Sequence, residues 1–302
     1  MDLNLIRLIV TLRLEADIAD RYALFGMRPY FEEAFRQAAA CGGSAGPCTR
    51  GADCPYHQTF SQQLSADPAA LRRYQKPSLP FVFHIPPIPE PPNRGNTLEL
   101  ELILAGSAAN FVSCYIAALA EMLMLPGLRR RVPAILTKVE SEGYDGCRTL
   151  VMAPGKDPAT DRLTTLSLRG LLDGSVLAPD RVTIAFVTPL LILHEGKPLR
   201  EFSFSPFMRA LFRRVSAMAY YYGGAETALD YKWLAGQSLA VECIGADFRW
   251  VEWGRKWYGV IGRGTFRGDL ADFHPFLLAG ELLHAGKGAA FGQGRFILER
   301  NA

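Results

Sequence analysis

The chain has 302 residues, 49% of them hydrophobic and 21% charged, with a formal net charge of +3. Those proportions are ordinary for a globular protein and exclude a disordered or fibrous chain, while the length suits two domains of about 150 residues each. So mild a net charge excludes capture of an anionic partner by the field of the whole molecule; such a partner must be met by locally concentrated Lys and Arg.

Residues 1–17 carry Arg7 and Arg13 inside an apolar stretch and show no small-residue cleavage site, which argues against a secretory signal and predicts a cytoplasmic protein. Residues 5–14 read as a strand, and Pro29 opens a short amphipathic helix with Phe31, Phe35 and Ala38 on one side. A loop rich in Gly and Cys follows over 41–57. After Phe81-Val82-Phe83, a proline run over 85–92 rules out a continuing central strand. Alternating Leu98, Leu100, Leu102 and Leu104 predict a half-buried strand. Residues 108–125 then predict a helix, too polar at Asn110, Ser113 and Glu121 to span a bilayer comfortably, and 134–139 a strand.

The pattern restarts near Arg181. Residues 182–187 predict a strand and 195–198 a hairpin turn; Ser205 as N-cap and Pro206 at the first position open a helix that Gly223-Gly224 closes. Strands are predicted over 241–253 and 257–266, a helix over 273–284 and a final strand over 295–299. Each half therefore reads β-α-β-β-α-β, an α+β chain of two tandem ferredoxin-like, RRM-like domains. The expected domains are 1–165, with a Cys-rich insertion, and 181–302, joined by a linker within 153–180 where Pro, Gly and Asp cluster.

Three groups of residues carry chemistry. Four glycines, Gly286, Gly288, Gly292 and Gly294, stand within nine residues beside Lys287 and Arg295. Such a loop can bring backbone N–H groups close to a phosphate, or it can be a bent connection that needs glycine for steric reasons alone. It follows a predicted helix and opens a strand, the reverse of a Rossmann or P-loop. On the helix from Ser205, Arg209, Arg213, Ser216 and Tyr220 share one side, either a track for a phosphate backbone or a solvated helix face. Around Gly254, Arg249, Trp250, Trp253, Arg255, Lys256, Trp257 and Tyr258 mix cations with rings able to stack on bases, although tryptophan clusters also build cores. Finally, Cys41, Cys48, Cys54 and His57 form a CCCH set able to give a structural Zn²⁺ three thiolates and one imidazole; unliganded thiols in a loop are the alternative.

The run 282–296, the helix beginning Phe204-Ser205-Pro206-Phe207 and the segment 258–268 resemble the C-terminal domain of CRISPR precursor-processing endoribonucleases of the RAMP superfamily. The resemblance covers residues 181–302, and Cys41, Cys48 and Cys54-Pro55-Tyr56 look like a cysteine-bearing insertion of some members associated with type III systems. It implies tandem ferredoxin-like domains, contact of the glycine loop with CRISPR repeat RNA, and metal-independent cleavage of precursor crRNA on the 3′ side of a repeat hairpin. CRISPR effector subunits are further candidate partners, and the polar interruptions of residues 108–125 predict no membrane association. The competing reading is a RAMP subunit that binds crRNA without cutting it; a more distant one is an enzyme holding nucleotide phosphates in the glycine loop.

Attack by a neighbouring 2′-OH needs a base, an acid for the leaving 5′-oxygen and positive charge at the phosphate. His284 beside the glycine loop is the leading acid/base candidate, with Lys287 stabilising charge; His57, if it is free of metal, is the alternative base, and Tyr22 or Tyr30 could assist. The chain departs from the family pattern in one respect: the family's catalytic histidine usually lies near the first helix, and residues 28–40 contain none.

Overall fold

The computed structural model describes residues 2–42, 48, 50–74, 76–86, 88, 94–175, 177–224, 226, 229–253 and 257–299. The chain divides into two compact units, one of residues 4–65 and 79–166, the other of residues 1–3, 66–78 and 167–302.

In the N-terminal unit, β1 (Asn4–Leu14) leads to α1 (Arg28–Ala38), whose Pro29 occupies the first turn, where the missing N–H costs nothing. A short α2 (Pro55–Phe60) follows; the similarly short α3 (Pro68–Arg73) belongs to the other unit. Strands β2 (Phe81–His84) and β3 (Thr97–Ala105) precede α4 (Val112–Met124) and α5 (Pro126–Arg129). Strands β4 (Ala134–Glu142), β5 (Arg148–Met152) and β6 (Thr165–Ser167) complete it. The sheet order is β2-β3-β1-β4-β5 with β6 also on β1, and every pair from β2 to β5 is antiparallel, so the first four strands have the ferredoxin-like arrangement.

The alternation in β3 holds at its start, where Leu98 and Leu100 are buried and Glu99 exposed. It fails at the end, where Ile103 and Leu104 are both buried. Phe31 and Phe35 of α1 close that core edge-on against Phe83 (5.0 Å) and Tyr115 of α4 (4.8 Å). Residues 106–124 are apolar and long enough to cross a membrane by composition, yet within this unit Tyr115, Ile116, Leu119, Met122 and Leu123 of α4 are core.

The C-terminal unit starts with α6 (Leu168–Asp173) and β7 (Arg181–Leu190), then the small hairpin of β8 (Leu193–His194) and β9 (Lys197–Pro198). Two helices follow, α7 (Phe204–Gly223) and α8 (Tyr231–Gln237). Then come β10 (Glu242–Trp253), β11 (Trp257–Arg267), α9 (His274–Leu283) and β12 (Phe296–Glu299). Its sheet runs β10-β11-β7-β12, again antiparallel and ferredoxin-like. Helix α7 begins two residues before the expected Pro206, with Ser203 rather than Ser205 at the N-cap position. It ends as expected, with Gly224 taking the left-handed cap at φ +66°. Its sides are set by packing: Phe207, Leu211 and Val215 are buried, Arg209 and Arg213 exposed, but Ser216 is also buried, because its hydroxyl bonds Phe212 O and Tyr231 Oη at 2.6 Å each.

Segment 66–78 joins this unit through α7. Tyr74 stacks on Tyr220 at 4.5 Å between centroids, Tyr221 Oη donates to Tyr74 O at 3.1 Å, and Tyr222 Oη donates to Ser78 O.

Candidate nucleic-acid interface

The glycine loop leaves α9 at Leu283 and returns to the sheet at Phe296. Its four glycines all have positive φ. At Gly286 and Gly294 the requirement is double: a Cβ at Gly286 would lie 2.5 Å from Leu191 O, and one at Gly294 would collide with Ala285 O. The steric reading of the glycines is thus met. The N–H cradle is mostly committed elsewhere. Lys287 N–H donates to Leu191 O (2.8 Å), Gly294 N–H to Pro189 O (2.9 Å), and the N–H groups of Ala285, Phe291, Gly292 and Gln293 to other loop carbonyls. Thr188 pins the loop end, its hydroxyl donating to Gly292 O (2.7 Å) and accepting from Arg295 N–H (2.8 Å).

What the loop does present is charge. With α7 and the β7–β8 connection it lines a groove of about 360 Å³ whose walls include Lys76, Ser78, Arg213, Arg214, Gly286 and Lys287. Four cations face it and no carboxylate lines it among the described residues. Its volume sits at the small end of ligand pockets, about 300–1,000 Å³.

Arg213 and Lys287 are exposed, whereas Arg214 is drawn inward. Its Nε donates to Leu283 O at 2.5 Å, at the carbonyl end of α9 where a cation is favoured. Its Nη2 is buried with no hydrogen-bond partner among the described residues. Burial lowers the guanidinium pKa to about 10, opposed by the neighbouring Tyr222 hydroxyl, which burial itself pushes up; Arg214 stays cationic at neutral pH. A charged donor held out of water with one N–H group unsatisfied is costly until an anion meets it.

The other expected residues distribute unevenly. Arg209 is exposed on α7 beside the groove's Arg213 but is not part of the lining. Gly292 and Gly294 are buried, Gly288 and Arg295 partly so. Lys256, with Gly254 and Arg255, lies outside the described residues; Trp250, nearby on β10, has the Arg200 guanidinium 5.4 Å from its ring centroid. His284 is fully buried, at 0% exposure, so its imidazole does not reach an incoming phosphate in this structure. It also stands at φ +58°, ψ 176°, a backbone region suited to glycine. Lys76, Ser78 and Arg214 were not anticipated from the sequence.

In the N-terminal unit, the Sγ atoms of Cys41, Cys48 and Cys54 lie within 4.8 Å of one another. The imidazole of His57 is not part of that cluster, so the expected CCCH set reduces to three sulfurs. His57 turns its backbone to the site instead: burial raises the Cys54 thiol, but hydrogen bonds from His57 N–H, Cys41, Cys48 and Tyr56 N–H outweigh it and leave the thiol below its ordinary value. Beside the cluster, Arg36 Nη2 donates to Tyr56 Oη at 2.6 Å, and Tyr56 Oη donates to Glu32 at 3.1 Å.

Two ferredoxin-like units in one chain, the second with a cationic groove against a glycine loop, define the class by fold and site. Two sequence families cover most of the chain: residues 3–164 match the AF_1859 N-terminal domain and residues 184–296 match the CRISPR-associated endoribonuclease Cas6. The chain thus carries an AF_1859 N-terminal domain over just more than half of its length, and its C-terminal part carries a domain of the Cas6 family of CRISPR-associated endoribonucleases. No curated protein matches its sequence. Among solved structures, Thermus thermophilus Cas6 is similar over 99% of both chains, at 14% identity and TM-score 0.53. A Cas6 product complex is similar over 99% of this chain and 100% of that one, at 16% identity and TM-score 0.56. A partial Cas6-RT-Cas1–Cas2 complex is similar over 99% of this chain at 12% identity and TM-score 0.59; the present chain spans 46% of that one, and 29% of the corresponding chain of the Cas6-RT-Cas1–Cas2 complex. At these identities the likeness is one of fold.

Proposed function

We propose that the chain binds the repeat of a precursor CRISPR RNA in the cytoplasm and cuts it without a metal ion. The groove of Lys76, Arg213, Arg214 and Lys287 holds a backbone phosphate. The observation that carries this reading is the groove itself, lined by the four cations Lys76, Arg213, Arg214 and Lys287 with no carboxylate among the described residues, and with the half-buried Arg214 aimed by Leu283 O.

In the cut, a base takes the 2′-OH proton, the 2′-oxygen forms a bond to phosphorus, the bond to the 5′-oxygen breaks, and an acid protonates that oxygen; the products are a 2′,3′-cyclic phosphate and a 5′-hydroxyl. Lys287, exposed on the glycine loop, supplies charge to the phosphorane-like transition state. His57, a partly exposed histidine of the N-terminal unit outside the sulfur cluster, is the first histidine to replace in a cleavage assay, with loss of cutting at unchanged stability expected if it serves as base. His284 becomes a positioning residue that fixes the start of the loop from within the core. The two structures of a Cas6-RT-Cas1–Cas2 complex make assembly with other CRISPR proteins a reasonable expectation for this chain as well.

The reading that the chain binds crRNA without cutting draws on one observation, the burial of His284. Affinity for repeat RNA, measured by fluorescence anisotropy on wild type and on R213E/K287E, tests the shared part of both readings. A loss of at least about tenfold is expected, since charge-assisted hydrogen bonds are worth about 1.5–3 kcal/mol each; unchanged affinity would remove the groove from the interface.

A further inference from the structure

Cys41 lies just past α1, Cys54 immediately before α2, and Cys48 in the connection between them. None of the three takes part in a disulfide, Cys41 and Cys54 are buried, and the three sulfurs lie within 4.8 Å of one another. Thiolates sharing a tetrahedral Zn²⁺ at Zn–S of about 2.3 Å stand about 3.8 Å apart, so a small contraction of this trio would seat the ion. The donor set is soft and sulfur-only, which favours zinc over magnesium or calcium. A disulfide, by contrast, would take two of the three and strand the third.

We propose that Cys41, Cys48 and Cys54 bind one Zn²⁺ as a three-thiolate site with water in the fourth position, stapling the end of α1 to the start of α2. The consequence lies in what those two helix ends carry. Arg36 in the last turn of α1 holds Tyr56 in the first turn of α2 through the 2.6 Å hydrogen bond and a guanidinium 4.7 Å from its ring centroid, and Glu32 accepts from the same hydroxyl. Arg50, between Cys48 and Cys54, adds a 2.9 Å hydrogen bond to Ala39 O. The ion thereby fixes a cation, a phenol and a carboxylate in register, and the site does not depend on the RNA-binding reading.

The test uses the full chain, prepared without a histidine tag or chelator. Elemental analysis is expected to give zinc equimolar with protein. Alkylation of the wild type read by mass spectrometry should show three thiols protected by zinc and released by EDTA, a measurement that needs no variant to fold. Cobalt exchange should give a strong sulfur-to-metal charge-transfer band, C54S should lose the metal, and H57A should keep it. Failure to bind added ZnCl₂ after full reduction, a disulfide within the trio, or loss of zinc in H57A would each overturn the three-thiolate site.

Discussion

Arg214 Nε donates to the carbonyl of Leu283 at 2.5 Å, so the side chain that reaches the groove from α7 is oriented by the last residue of α9. The glycine loop starts at that same residue, which makes one hydrogen bond both the aiming device for a half-buried cation and the anchor of the loop opposite it. Replacing Arg214 by lysine keeps the charge but removes the fork that serves Leu283 O with Nε while leaving Nη2 free. R214K should weaken repeat-RNA binding by about tenfold or more while lowering Tm little, the affinity read by filter binding and the stability by calorimetry. Equal loss of both would mean that Arg214 serves only the fold.

Binding should also be salt-dependent in proportion to the phosphates the groove neutralises. Removing Lys287 as K287A is expected to lower the slope of log K against log [salt] by about 0.7 for single-stranded RNA, one phosphate's worth. An unchanged slope would place Lys287 away from the backbone.

His284 combines a buried ring with a glycine-like backbone, a conformation that costs about 1–3 kcal/mol. H284A keeps that strain and empties the ring's volume, so it should lower stability by about 2–4 kcal/mol; H284G should lose less, because glycine accepts φ +58° freely. Urea denaturation of both variants checks the order. Abolished cleavage with unchanged stability would restore the imidazole to the chemistry.

Much of this arrangement was legible in the sequence, and the remainder was not for identifiable reasons. Helix α7 announces itself through Pro206, the spacing of Phe207, Leu211 and Val215, and Gly224, and both ferredoxin-like sheets follow from the order of strong strand and helix signals. Arg214 stands next to Arg213, and nothing local says that one reaches solvent and the other the core; the end of α9, far along the chain, decides it. Lys76 and Ser78 follow a helix of six residues, too short for periodicity. His57 looked like a zinc ligand by spacing, but its place inside α2 turns its backbone rather than its ring toward Cys54.

His274 gives a pH dependence. Burial holds its imidazole below the ordinary value, so between that folded-state pKa and the unfolded value near 6.5 the unfolded chain binds more protons. Stability is therefore full above about pH 6.5 and falls as the pH drops through that window. Calorimetric Tm between pH 7 and 5 should decline, and H274Q should flatten the decline; an identical slope in the variant would assign the effect to another group.

The central claim is metal-independent cleavage of a CRISPR repeat. The most direct measurement incubates the full chain in EDTA with its own genomic repeat RNA and with the same RNA carrying a 2′-deoxy sugar at the cut site. A single cut in the first, ending in a 2′,3′-cyclic phosphate, and none in the second is the predicted result; tight binding with no cut in either RNA, or equal cutting of both, would contradict it.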